Sequence, residues 1–110
     1  MFDLAGKIAV VTGGSRGIGR ATSIALAEAG ALVLVNYRSN EEAAKQTLSL
    51  IEEAGGQAEL VCFDVADPES VDRGLKAAIE RHGRIDILVN NAGISIDQLL
   101  LRVSPKDLDM

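Results

Sequence analysis

The chain is short of several things, and each shortage removes a class of function. It has a single cysteine, Cys62, so no intramolecular disulfide can form and a disulfide-stapled fold is excluded. Only Phe2, Tyr37 and Phe63 are aromatic, and 11 basic residues interleaved with 16 acidic ones leave a net charge of −5. Binding nucleic acid through a basic face and stacked rings needs both ingredients, and neither is present. No apolar run reaches the roughly 18 residues of a membrane helix. Met1-Phe2-Asp3-Leu4 places no basic region ahead of an apolar stretch, so neither a membrane span nor a signal peptide is expected. The lone thiol and the missing leader lead to the expectation of a reducing, cytoplasmic setting.

What is present is glycine, and a regular alternation of apolar patterns. Eleven of the 110 residues are glycine, while 47% hydrophobic and 25% charged content is ordinary for one globular domain. Lys7 to Thr12 is a short β-branched run suited to a strand covered on both faces. Ile18, Ala21, Ala25 and Leu26 then recur at helical spacing, with Gly30 as the stop. Ala31 to Asn36 is a second strand. Ser39 stands three residues before Glu42, the spacing of a capping box, and Ala44, Leu48 and Ile51 supply the apolar stripe of the next helix. A third strand is expected over about Ala58 to Phe63, with Cys62 packed in the core. Asp67-Pro68 is an N-cap followed by proline at the first helical position. Val71, Leu75, Ala78 and Ile79 form that helix's buried face, and Gly83 ends it. His82 lies in its last turn, where a cation suits the helix dipole. Asp86 to Asn90 is a fourth strand, and Ser104-Pro105 reads as the start of a further helix, inside which the chain stops.

Strands alternating with helices imply an α/β fold with a parallel sheet and helices on both faces. The chemistry is concentrated at strand ends. Thr12-Gly13-Gly14-Ser15-Arg16-Gly17-Ile18-Gly19 joins the first strand to the first helix. Glycines there let backbone N–H groups approach a pyrophosphate, with the positive end of a helix dipole behind it. The spacing Gly-x-x-x-Gly-x-Gly differs from Gly-x-Gly-x-x-Gly, and no Gly-Lys-Ser/Thr follows to make a P-loop. Asn90-Asn91-Ala92-Gly93 follows the fourth strand, and Asp64-Val65 ends the third. At the end of the second strand, where an acid would hold a ribose 2′-hydroxyl, stands Asn36-Tyr37-Arg38-Ser39. Arg16 and Arg38 could meet across a 2′-phosphate as charge-assisted donors.

These motifs together resemble those of the short-chain dehydrogenases/reductases. The stretches Asn36 to Glu42 and Gly93 to Arg102 are most similar to 3-oxoacyl-[acyl-carrier-protein] reductases. The resemblance covers Leu4 to Met110. It implies a Rossmann-type doubly wound parallel sheet, of which residues 1–110 form the N-terminal, NAD(P)-binding part with strand order 3-2-1-4. It implies NADP(H) as cofactor, contacted by Gly13, Ser15, Arg16, Gly17, Ile18 and Gly19 at the pyrophosphate and by Asn36, Arg38 and Ser39 near the 2′-phosphate. Asp64 and Val65 would meet the adenine, and Asn91, Ala92 and Gly93 the adenosine side.

The implied reaction is NADPH-dependent reduction of a 3-oxoacyl thioester, carried on acyl-carrier protein in fatty acid synthesis, by a homotetrameric full-length enzyme. The family's catalytic serine and Tyr-x-x-x-Lys are not in this stretch. Tyr37 is the only tyrosine, and residue 41 is Glu41 rather than lysine, so no catalytic residue and no metal ligand is assigned. An acetoacetyl-CoA, sugar or alcohol reductase is the alternative within the family. A non-catalytic NADP-binding fragment is the alternative outside catalysis.

Overall fold

In the computed structural model, which describes residues 3–15 and 17–91, four strands and three helices alternate along the chain. They are β1 (Ile8–Thr12), α1 (Gly17–Glu28), β2 (Leu32–Tyr37), α2 (Glu41–Glu53), β3 (Gln57–Cys62), α3 (Pro68–His82) and β4 (Ile87–Asn90). All strand pairs are parallel and the order is β3-β2-β1-β4. This is the doubly wound, Rossmann-type arrangement. Each strand lies within a residue or two of its expected position. The helix start at Ser104-Pro105 lies outside the described residues.

The two inner strands, β1 and β2, read as nearly continuous apolar runs because both faces of the sheet are covered there. Successive side chains of β1 point to opposite layers. Val10 joins Leu34, Phe63, Val71, Leu75 and Ala78 in the layer under α3. Ala9 and Val11 join Ala27, Val33, Val35 and Ile51 in the layer under α1 and α2. Leu34, Leu75 and Val10 are fully buried, and each such side chain contributes roughly 1.5–3 kcal/mol. That exceeds the worth of any one helix cap, so the sheet sandwich rather than local propensity holds the fold.

Three expectations are corrected. The buried face of α1 is Gly19, Ser23 and Ala27, whereas Ala21 and Ala25 are exposed, Leu26 is half-buried and Ile18 is 77% exposed. The helical period is right but its phase is off, because α1 approaches the glycine loop too closely for large side chains. A Cβ on Gly19 would lie 2.0 Å from the carbonyl oxygen of Gly13.

The cap of α2 is Asn40, not Ser39. Asn40 Oδ1 accepts from the Ala43 N–H at 3.0 Å, while Ser39 lies one residue early and its carbonyl accepts from the Glu41 N–H. Cys62 is exposed, at the end of β3, which is one of the two edge strands of the sheet among the described residues. Its thiol sulfur lies 3.4 Å from the Arg38 carbonyl oxygen.

The third helix is as expected. Asp67 caps it by accepting from the Glu69 N–H at 3.1 Å, Pro68 opens it, and Gly83 closes it with φ +87°. His82 binds Glu59 through Nε2 at 3.1 Å, beside Arg81, and so ties the end of α3 to β3.

Candidate cofactor cleft

The first three strands end together on one side of the sheet, where open parallel sheets bind ligands. A cleft of about 350 Å³ lies there. Gly13 and Ser15 after β1, Asn36 to Asn40 at the end of β2, and Phe63 and Val65 after β3 line it. Topology thus brings together residues some 50 positions apart in sequence.

The glycine loop has the backbone that its sequence demands. Gly13 and Gly17 adopt φ of +63° and +62°, a region L side chains avoid. A Cβ on Gly14 would meet the Val11 carbonyl oxygen at 3.0 Å, and Gly19 has no room for one. The loop is therefore a tight backbone cradle ahead of the N-terminus of α1, whose first N–H groups carry partial positive charge.

Asn36 anchors this cradle. It is 3% exposed. Its Oδ1 accepts from the Gly13 N–H at 3.2 Å, and its Nδ2 donates toward the carbonyls of Phe63 at 3.1 Å, Tyr37 at 3.3 Å and Val61 at 3.4 Å. The Gly14 N–H donates to its main-chain oxygen at 3.2 Å. An amide supplies the donors that these carbonyls need, and a carboxylate would not. One side chain thereby fastens the ends of β1, β2 and β3.

Arg38 places a guanidinium at the lip of the cleft, and no aspartate or glutamate lines it among the described residues. Arg38 is 74% exposed, with Nε 3.6 Å from Asp64 Oδ2, and its terminal nitrogens have no partner among the described residues. An exposed pair of this kind contributes at most about 1 kcal/mol, so it orients Arg38 without consuming its donors. Asp64 Oδ1 accepts from the Ala66 N–H at 2.9 Å, and the Asp64 N–H donates to Ser70 Oγ at 2.8 Å. This arrangement fits a nucleotide with a 2′-phosphate: a tight cradle for the pyrophosphate, an arginine donor at the end of β2, and no carboxylate among the described lining residues.

Of the expected site residues, Gly13, Ser15, Asn36, Arg38, Ser39 and Val65 line one cleft, with Asp64 joined to it through Arg38. Gly17, Ile18 and Gly19 form the first turn of α1. Asn91 stands at the end of β4, on the other side of β1, and its N–H donates to Thr12 Oγ1 at 3.0 Å. Arg16, Ala92 and Gly93 lie outside the described residues.

Burial, with help from the Glu41 carboxylate and Cys62, pushes the Tyr37 phenol above its usual value. Sequence reasoning missed Thr12, whose hydroxyl also reaches Asn90 Oδ1 at 3.1 Å, and missed Arg20 and Thr47 behind the loop. The threonine opening the glycine motif was a usable signal; two polar residues 27 positions apart were not.

Among the described residues no cluster of histidine, cysteine and carboxylates could hold a metal, and no helix is long and apolar enough to cross a membrane.

Comparison with known proteins bears on the fold and the family. A 3-oxoacyl-[acyl-carrier-protein] reductase of Synechocystis sp. is 46% identical over 97% of this chain and 43% of its own length. The short-chain dehydrogenase/reductase homolog YusS of Bacillus subtilis is 45% identical over 86% of both chains. An L-rhamnose 1-dehydrogenase (NADP(+)) of Thermoplasma acidophilum is 43% identical over 94% of this chain and 41% of its own length. Among solved structures, a metagenomic short-chain oxidoreductase in complex with NADP superposes with a TM-score of 0.79 at 40% identity, over 83% of this chain and 41% of that one. The chain thus spans well under half the length of several proteins it matches. The family model described as short chain dehydrogenase matches residues 7–110, and the chain belongs to that family of oxidoreductases.

Proposed function

We propose that this chain is the NADP(H)-binding part of a single Rossmann-type domain, in a reductase that converts 3-oxoacyl thioesters to 3-hydroxyacyl thioesters. The observation that carries the cofactor half of this reading is the end of β2. Arg38 stands at the cleft, and no acid lines it among the described residues. The 46% identity to a 3-oxoacyl-[acyl-carrier-protein] reductase supports the substrate half.

In this reading Gly13, Ser15, Gly17, Ile18 and Gly19 face the pyrophosphate, joined by Arg16. Arg38 and Ser39 hold the 2′-phosphate with Arg16, and Asn36 supports them from below. Asp64 and Val65 bound the adenine, and Asn91, Ala92 and Gly93 the adenosine side. Bound NADPH supplies the hydride equivalent for carbonyl reduction. This chain's residues bind and orient the nucleotide, and none of the 110 is assigned to proton transfer. Acyl-carrier-protein thioesters as substrate, a cytoplasmic setting and a homotetrameric full-length form go with the same reading.

A second reading is a nucleotide-binding protein without turnover. The site residues described, all of which bind or support a nucleotide in the first reading and none of which is assigned to proton transfer, are compatible with it. A sugar reductase is a third, favoured by the rhamnose dehydrogenase.

Fluorescence titration of this chain with NADPH and NADH, followed by turnover assays of the full-length protein on 3-oxoacyl thioesters and aldoses, separates these readings. NADPH is expected to bind at least about tenfold more tightly than NADH, and Arg38→Ala to remove most of that preference, since one charge-assisted phosphate contact contributes roughly 1.5–3 kcal/mol. Equal affinities in the wild-type chain would reject the NADP assignment. NADPH binding without turnover would favour the second reading.

A further inference from the structure

Behind the glycine loop a half-buried polar bridge runs from α1 to α2. Arg20 on α1 donates from Nε to Thr47 Oγ1 at 2.9 Å. From Nη2 it donates to the carbonyl oxygens of Ser15 at 2.8 Å and Ala43 at 3.1 Å, with Gln46 Oε1 at 3.3 Å. Thr47 is fully buried, and its hydroxyl donates to the same Ser15 carbonyl at 2.8 Å. The Ser15 oxygen therefore accepts two short hydrogen bonds, one from each helix. Both its lone pairs are used. Ser15 itself lines the cleft. No carboxylate pairs with Arg20 among the described residues, so its charge is spent on backbone carbonyls.

A phosphate-binding loop works only if its N–H groups face the anion and its carbonyl oxygens do not. A loop built of glycines has no side-chain bulk to enforce that choice, and glycine visits both halves of φ space. The Ser15 carbonyl is the one carbonyl of the described loop that side chains grip from two helices. Without the grip, the Ser15 oxygen could turn toward the cleft and meet a pyrophosphate as a like charge.

We propose that Arg20 and Thr47 are positioning residues for the cofactor. They hold the Ser15 carbonyl toward α2, and so keep the glycine loop in its anion-accepting conformation. Neither residue touches the cofactor. The inference rests on the reading of this cleft as an NADP(H) site.

The test uses the full chain and four variants, Arg20→Met, Arg20→Lys, Thr47→Val and Thr47→Ser. NADPH affinity is read by fluorescence titration, and amide hydrogen exchange by mass spectrometry. Losing one bond of this two-bond clamp is expected to weaken NADPH binding about tenfold in Arg20→Met and in Thr47→Val. Exchange is expected to rise over Gly13–Gly19 while β1, β2 and β3 keep their protection. Arg20→Lys keeps the charge but not the fork, and is expected to behave like Arg20→Met. Thr47→Ser keeps the hydroxyl and is expected to bind as the wild type does.

Four results would overturn the proposal. Unchanged NADPH affinity in the first two variants is one. Exchange rising equally in the strands is another, since it marks a general loss of fold. Full rescue by Arg20→Lys would leave only charge at work. Wild-type affinity falling to nothing measurable would remove the cofactor reading itself and this inference with it, a failure distinguishable because it appears before any variant is made.

Discussion

At the scale of single residues the site is made by what cannot be added. Gly19 has the Gly13 carbonyl oxygen 2.0 Å and the Gly14 Cα 2.9 Å from where a Cβ would sit, and both obstacles are backbone. Neither can rotate away as a side-chain end could. Gly19→Ala is therefore expected to lift α1 from the loop, destabilise the fold by about 1–3 kcal/mol, and abolish measurable NADPH binding. Urea unfolding and fluorescence titration of the same variant check both halves. A stable variant that binds normally would mean that the close approach is not needed. Asn36 makes the complementary point. Its polar atoms face inward, onto the main chain at Gly13 and at Tyr37, Val61 and Phe63, so its contribution to a nucleotide site is to fix the walls.

Elements are set by caps and by packing phase, and the two were not equally legible. The cap of α2 separates two adjacent candidates. Asn40→Ala is expected to cost about 1 kcal/mol, while Ser39→Ala should change stability by no more than about 0.5 kcal/mol, as thermal or urea unfolding would show. The reverse ranking would restore Ser39 as the cap. The strands and the ends of α3 could be read from sequence because their causes are local: β-branched runs, Asp67-Pro68, and Gly83. The face of α1 could not, because Gly19, Ser23 and Ala27 were chosen for smallness rather than hydropathy. Nor could the exposure of Cys62, which depends on β3 lying at the sheet edge, a property of the crossovers and not of the strand. The cleft's glycines and Arg38 were visible as a motif. Arg20 and Thr47 behind it were not, since their meeting depends on how α1 packs against α2.

At the scale of the molecule, the start and the end of the described chain are tied across the sheet. Asp86 Oδ2 accepts from the Ile8 N–H at 2.8 Å, its N–H donates to the Ile8 carbonyl, and Arg84 binds both the carboxylate and the Gly6 carbonyl. Burial alone would raise the Asp86 carboxyl. The Ile8 N–H and the Arg84 guanidinium, with Lys7, outweigh it and hold the group below its ordinary value. A carboxyl whose folded pKa lies under its unfolded value, about 3.9, stabilises the fold above that pH. The contribution is lost as pH falls through the folded value. The stability gap between the wild type and Asp86→Asn is therefore expected to narrow from pH 7 to pH 3 in urea titrations; a constant gap would deny the link.

The same tie has a consequence in time. One edge of β1 is met by β2, beginning at Leu32, while the other waits for β4 at Ile87, some 55 residues later. At the usual pace of synthesis, about 5–20 residues per second, the central strand spends on the order of 3–11 s with an apolar edge open on a growing chain. The strand that leads into the glycine loop is thus also one that needs shelter while the protein is being made.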